Sequence, residues 1–186
     1  MPIRQLMLQC VRPAPCRGRR ERQHVASDQP RDYARGVPYD VLTHERTASA
    51  SATARASAIP EDNLAKGVLM RREDGYLLAI VPASCHVEID ALAKWLKQPI
   101  VLASEVEAST IFGDCEMGSV PPVGGAYDLM AVMDDSLEGF KDIYFEGGDH
   151  RTLVHVTGRN FHQLMHDVPH AHIGARNHRS HADSET

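Results

Sequence analysis

The chain has 186 residues, 42% hydrophobic and 24% charged, with a net charge of −5. That suits one soluble domain with its own core, too short for two, and no run of about 18 apolar residues is present to span a membrane. The first residues, Met-Pro-Ile-Arg-Gln-Leu-Met-Leu, hold an apolar stretch that is interrupted at once and followed by Arg12, Arg17, Arg19, Arg20 and Arg22, the wrong order for a secretory signal.

Cys10, Cys16, Cys85 and Cys115 form no Cys-x-x-Cys pair and no zinc spacing, so free thiols, a cytoplasmic location and no metal or other cofactor are expected. Charge is uneven. Residues 1–30 carry six arginines against Glu21 and Asp28, a net of +4, whereas residues 31–165 carry a net of −8. A protein that grips a long stretch of nucleic acid presents a basic face. Any RNA contact by the acidic middle must therefore be local, or assisted by the arginine-rich front.

In chain order, residues 1–31 show almost no periodicity and read as a disordered Arg-rich extension. Tyr39–Thr43 alternates like a strand, and the alanine-rich stretch 47–58 reads as a helix stopped by Pro60. The apolar runs Leu64–Met70 and Tyr76–Val81 flank Asp74-Gly75 and predict a β-hairpin. Ile89, Leu92, Trp95 and Leu96 share a helical face, and Ser104-Glu105-Val106-Glu107 has the form of a capping box. The stretch from Gly118 to Gly125, with Pro121 and Pro122 at its centre, can only be a shaped loop. Leu129–Met133, Asp142–Phe145 and Thr152–Val156 are further strand candidates, and Thr157 starts a helix that buries Phe161, Leu164 and Met165. Residues 166–186, with His166, His170, His172, His178 and His181, read as a disordered His-rich tail of incidental metal affinity. Strands and helices are mixed without βαβ regularity. The prediction is α+β: one domain over 32–165, a mixed sheet with flanking helices.

Three places could carry chemistry. Lys66 lies within an apolar strand, where it either points outward or stands as a cation at a pocket rim, able to hold a phosphate or an oxyanion. The loop Gly118-Ser119-Val120-Pro121-Pro122 is either a wide turn or a rigid backbone surface that presents carbonyls and amides to a ligand. Glu146-Gly147-Gly148-Asp149-His150 is a glycine turn whose His150 could be a base, a hydrogen-bond donor or a turn-edge residue. No serine nucleophile elbow and no His-Glu-x-x-His metal motif is present.

The ordered set Leu64-Ala65-Lys66-Gly67-Val68-Leu69, Val81-Pro82-Ala83, Asp114 to Gly124 and Gly147-Gly148-Asp149-His150 resembles the YbaK/ProX family of aminoacyl-tRNA deacylases over roughly residues 32–165. The resemblance implies a trans-editing hydrolase that cleaves the ester of a mischarged tRNA without a metal, often alanyl- or cysteinyl-tRNA bearing the proline acceptor. Lys66 matches the family's functional lysine, Gly118 and Pro122 its Gly-x-x-x-Pro loop, and His150 a histidine that some members carry. Lys66 and His150 would be catalytic; Gly118, Ser119, Val120, Pro121, Pro122, Gly147 and Gly148 would bind substrate. Gly67 departs from part of the alanine-specific branch, which has Asn there. The implied partner is a tRNA acceptor end, with an aminoacyl-tRNA synthetase as a further candidate. Two other readings stand beside it: a noncatalytic aminoacyl-tRNA-binding or regulatory protein of the same fold, and a hydrolase of another small acyl ester.

Overall fold

The computed structural model describes residues 11–13, 22–25 and 37–177. The first part supplies β1 (Val11–Pro13), β2 (Arg22–Val25), β3 (Pro38–Thr43) and α1 (Ala50–Ala56). The hairpin β4 (Leu64–Arg72) and β5 (Gly75–Pro82) follows, then β6 (Cys85–Val87), α2 (Ile89–Leu96), β7 (Ile100–Leu102) and α3 (Glu105–Ile111). The rest brings β8 (Met130–Asp134), β9 (Asp142–Glu146), β10 (Thr152–Thr157), α4 (Gly158–Leu164), β11 (His170–Ala171) and β12 (Gly174–Arg176).

Ten strands form one mixed sheet in the order β1-β2-β3-β10-β9-β4-β5-β8-β11, with β7 also on β4, while β6 and β12 pair separately. The β4–β9, β5–β8 and β8–β11 pairs are parallel and the others antiparallel. This is the single α+β domain that the mixture of elements predicts.

The core lies on both faces of the sheet. Leu77, Ala79 and Val81 of β5 face one side with Met70, Leu92, Val132 and Ile173; Leu78 and Ile80 face the other with Leu69, Phe112, Phe145 and Phe161. A strand covered on both faces reads as an unbroken apolar run, which is what Tyr76–Val81 shows. A third, smaller cluster of Ala54, Leu64, Ala83 and Leu153 seats α1 on the sheet.

One irregularity of the sheet positions the site. Leu64 and Ala65 pair with β9, whereas Met70 to Arg72 pair with β7 on the same edge of β4. The gap between is filled by the 118–122 loop, whose Val120 carbonyl accepts from the Gly67 N–H at 3.4 Å.

Helix α1 is shorter than the 47–58 stretch because Ser49 caps it, accepting from the Ala52 N–H, and Ala58 turns left-handed (φ 52) two residues before Pro60. The capping box of Ser104 and Glu107 at α3 and the Thr157 cap of α4 form as expected. The apolar face of α2 needs correction: Leu92 is buried and Leu96 packs beside it, but Ile89 and Trp95 are 40% exposed. Among the described residues no helix is long and apolar enough to cross a membrane.

Both ends also depart from expectation. Val11–Pro13 and Arg22–Val25 extend the sheet from β3, so the N-terminal segment is not wholly without structure; Cys10, Cys16 and the remainder of that stretch lie outside the described residues. The disordered tail expected from residue 166 does not hold as far as residue 177. Here β11 joins β8, β12 joins β6, and Ile173 is fully buried. His178 and His181 lie outside the described residues. The anchor is Asp134, itself buried, whose Oδ2 accepts from the N–H groups of Ile173 (2.8 Å) and Gly174 (2.6 Å). A short polar segment escapes periodicity analysis because a buried carboxylate supplies what apolar area does not.

Burial alone would raise the Asp134 carboxyl, but the Ser136 hydroxyl and the backbone N–H groups of Ile173, Ser136 and Gly174 outweigh it and hold the group below 3.8. Its contribution to stability is therefore complete above 3.8 and is lost as pH falls toward the depressed folded value. Asp134→Ala leaves buried N–H groups without acceptors and is expected to cost about 2–4 kcal/mol. Denaturant unfolding at neutral pH, with amide exchange at Ile173 and Gly174, checks this.

Candidate active site

Four segments meet where the edge of β4 divides. They are the start of α1 (Ser49, Ala50), the start of β4 (Ala65, Lys66, Gly67), the loop (Gly118, Ser119, Val120) and the end of β9 with its turn (Glu146, His150). Together they line a pocket of about 120 Å³.

Strand alternation places Lys66 on the face shared by Leu64 and Met70. Burial pushes its ammonium below the ordinary 10.5, opposed by the electrostatic influence of Cys85 and Glu61. Among the described residues it has no hydrogen-bond or ion-pair partner. A partly desolvated, unpaired cation favours the entry of a phosphate or a polarised carbonyl oxygen.

Glu146 is the last residue of β9 and is only 9% exposed. The Thr53 hydroxyl donates to its Oε1 at 2.5 Å and the Ser119 hydroxyl to its Oε2 at 3.1 Å. Thr47 extends the network through its hydroxyl, 2.6 Å from that of Thr53. Helix α1 and the loop thus both lock onto one buried carboxylate, which needs such donors to be tolerated inside.

His150 sits in the left-handed region (φ 54) and is 7% exposed. Its Nε2 donates to the Met117 carbonyl at 2.8 Å, which turns Nδ1 toward Glu146 Oε2, 3.8 Å away. The backbone ties the same elements: Glu116 N–H donates to the Gly148 carbonyl at 2.7 Å, and Thr47 N–H to that of His150 at 3.4 Å. Gly118 (φ +84) carries the loop past the His150 ring in a backbone conformation that L side chains rarely adopt; space is not the constraint, since a Cβ there would meet the ring's Cε1 at an ordinary 3.7 Å. Among the described residues no cluster of three or more His, Cys, Asp or Glu side chains is arranged to hold a metal ion.

Residues 44–164 match the family profile of the aminoacyl-tRNA editing domain. The chain belongs to the aminoacyl-tRNA editing domain family. None of the curated proteins matches it. Among solved structures, one described as a "putative trans-editing enzyme for prolyl tRNA synthetase" is 24% identical, with a TM-score of 0.64 over 74% of this chain and 87% of that one. "Hypothetical protein APE2540" is 20% identical, with a TM-score of 0.66 over 74% and 91%. A scaffold from a study of epitope backbone grafting is also 20% identical, with a TM-score of 0.65 over 75% and 88%. These likenesses establish a shared fold.

In this editing domain Lys66, Gly118, Ser119, Val120 and His150 line one pocket. Pro121 and Pro122 are buried and do not line it; they brace the loop against the core. Gly147 and Gly148 shape the turn that delivers His150: a Cβ on Gly147 would stand 3.2 Å from Thr152 Cγ2, and Gly148 has φ 96. Sequence reasoning missed Glu146, Thr53 and Thr47. The available signal was faint, a glutamate following Ile143-Tyr144-Phe145 directly before two glycines.

Gly67 is where the loop comes closest to β4. A Cβ there would lie 3.0 Å from Leu78 Cδ1 and Val120 Cγ1, and 3.1 Å from the Pro121 carbonyl oxygen. The two side-chain tips can shift but the carbonyl can do so only with the loop. Gly67→Ala is therefore expected to destabilise the editing domain by about 1–3 kcal/mol, and Gly67→Asn by more. Thermal melts of the two variants test the order.

Proposed function

We propose that this editing domain is an aminoacyl-tRNA deacylase acting in trans, in the cytoplasm, on a tRNA wrongly charged with a small amino acid. The observation that carries the reading is Lys66, partly desolvated and without an ion-pair partner among the described residues, sharing a pocket of about 120 Å³ with Gly118–Val120.

The chemistry asks little of the protein. The neighbouring ribose hydroxyl already activates an aminoacyl ester, so orientation, a placed water and electrostatic help suffice. Lys66 approaches the terminal phosphate or the ester carbonyl and favours the charge that builds there as water adds to the carbonyl carbon. The C–O bond to the ribose then breaks, the departing oxygen is reprotonated, and free amino acid leaves an intact tRNA. The loop backbone holds the aminoacyl group. His150 acts as a positioning residue, because its Nε2 is committed to Met117 and keeps the loop in place. Pocket size sets the amino acid, with modest discrimination per methylene.

The net of −8 over residues 31–165 restricts contact to the acceptor end, leaving the rest of the tRNA to the arginine-rich N-terminus or to a synthetase. A panel of mischarged tRNAs tests the proposal. Release of free amino acid is expected to be fastest for small side chains and to persist with a chelator present; no release from any member would refute it.

A further inference from the structure

Resting on that reading, we infer that the buried Glu146 carboxylate is the receptor for the protonated α-amino group of the aminoacyl ester, so that the site takes free aminoacyl esters and rejects N-acylated ones such as peptidyl-tRNA. Four observations lead there.

Glu146 lines the pocket together with Ser119, Val120 and Lys66, yet the two opposite charges form no ion pair with each other. The pocket is thus bipolar, lined by a cation and by a carboxylate that do not neutralise each other in a direct pair. An aminoacyl ester has the complementary form, with an ammonium on one side of its Cα and a carbonyl and phosphate on the other. The carboxylate is also held in place: Thr53 fixes Oε1 and Ser119 fixes Oε2, each through one hydroxyl. A carboxylate has about four lone-pair directions, so two such bonds leave room for an ammonium. Among the described residues the basic side chain nearest it is His150, whose Nδ1 stands 3.8 Å away and carries charge only when protonated.

The loop itself is a poorer receptor. Of the loop residues that line the pocket, Val120 already has its carbonyl bound to the Gly67 N–H, and the carbonyls of Gly118 and Ser119 are neutral acceptors. The Glu146 carboxylate is the charged acceptor among the described residues lining this pocket, and in a partly dehydrated site a charge-assisted bond to it exceeds one to a neutral carbonyl. Acylation of the amine removes both its charge and two of its protons, and so the charge-assisted bond to Glu146.

The test compares an alanine-charged tRNA with its N-acetyl derivative in single-turnover hydrolysis by the wild-type protein and Glu146→Gln. The wild type is expected to prefer the free amine by at least about a hundredfold, because a site built around a polar partner discriminates strongly against analogues that cannot satisfy it. Glu146→Gln is expected to weaken half-saturation for the free-amine substrate at least about tenfold, as loss of one charge-assisted contact, and to compress the preference accordingly. Wild-type affinity should also fall as pH rises through the α-amino value, about 8 for an unperturbed amine. Equal hydrolysis of both substrates by the wild type overturns the inference and leaves the deacylase reading intact, with no need for the variant to fold. An undiminished preference in folded Glu146→Gln overturns it as well. If neither substrate is cleaved, the deacylase reading fails by itself, and calorimetry with 3′-alanylamido-adenosine against its N-acetyl form decides the inference: selective binding of the free amine supports it, equal binding refutes it.

Discussion

Lys66→Ala is expected to fold normally and to slow single-turnover hydrolysis by at least about tenfold, equivalent to about 1.4 kcal/mol of transition-state stabilisation. The folded state does not depend on the ammonium, which has no hydrogen-bond or ion-pair partner among the described residues. Removing a partly desolvated charge even relieves a cost. The transition state does depend on it, because negative charge grows on the ester oxygen at a wall where Lys66 is the cation. Lys66→Arg keeps the charge but replaces a compact ammonium with a broader planar fork, so it should restore only part of the rate. A folded Lys66→Ala with undiminished turnover would remove this residue from the chemistry.

The largest loss of stability is expected at Gly158, the first residue of α4. An alanine Cβ there would stand 1.9 Å from the Phe140 carbonyl oxygen, and the Gly158 N–H is itself bound to the Lys141 carbonyl at 2.8 Å. Both obstacles are backbone, so no side chain can swing aside. Either α4 lifts, exposing the buried Phe161 and Met165, or the segment before β9 moves. Overpacking against backbone is expected to cost about 3 kcal/mol or more. Chemical denaturation of Gly158→Ala measures it, and a change below about 1 kcal/mol would show that the two segments are not so close.

Much of the framework was legible because it follows short-range rules. The hairpin of β4 and β5 follows from two apolar runs around Asp74-Gly75, and α3 from its capping box. The loop from Gly118 was legible by exclusion, since two prolines and three glycines leave no regular element. What could not be read depends on contacts between distant residues. The placement of Ile173 rests on Asp134, and Glu146 gains its meaning only from Thr53 and Ser119, 93 and 27 residues away. Ile89 and Trp95, 40% exposed, show the opposite error, in which helical spacing suggests a buried face that the described residues leave partly open. In the site, residue types pointed to Lys66 and the loop, but only the fold brings α1 to them.

The most direct test of the account is turnover by the wild-type protein at substoichiometric concentration on an alanine-charged tRNA, following free alanine against total tRNA. A deacylase is expected to release many equivalents of alanine per protein molecule and to be inhibited by uncharged tRNA. Retention of the charged tRNA without release, or protection of its ester from spontaneous hydrolysis, would contradict catalysis and leave a binding protein of the editing-domain fold.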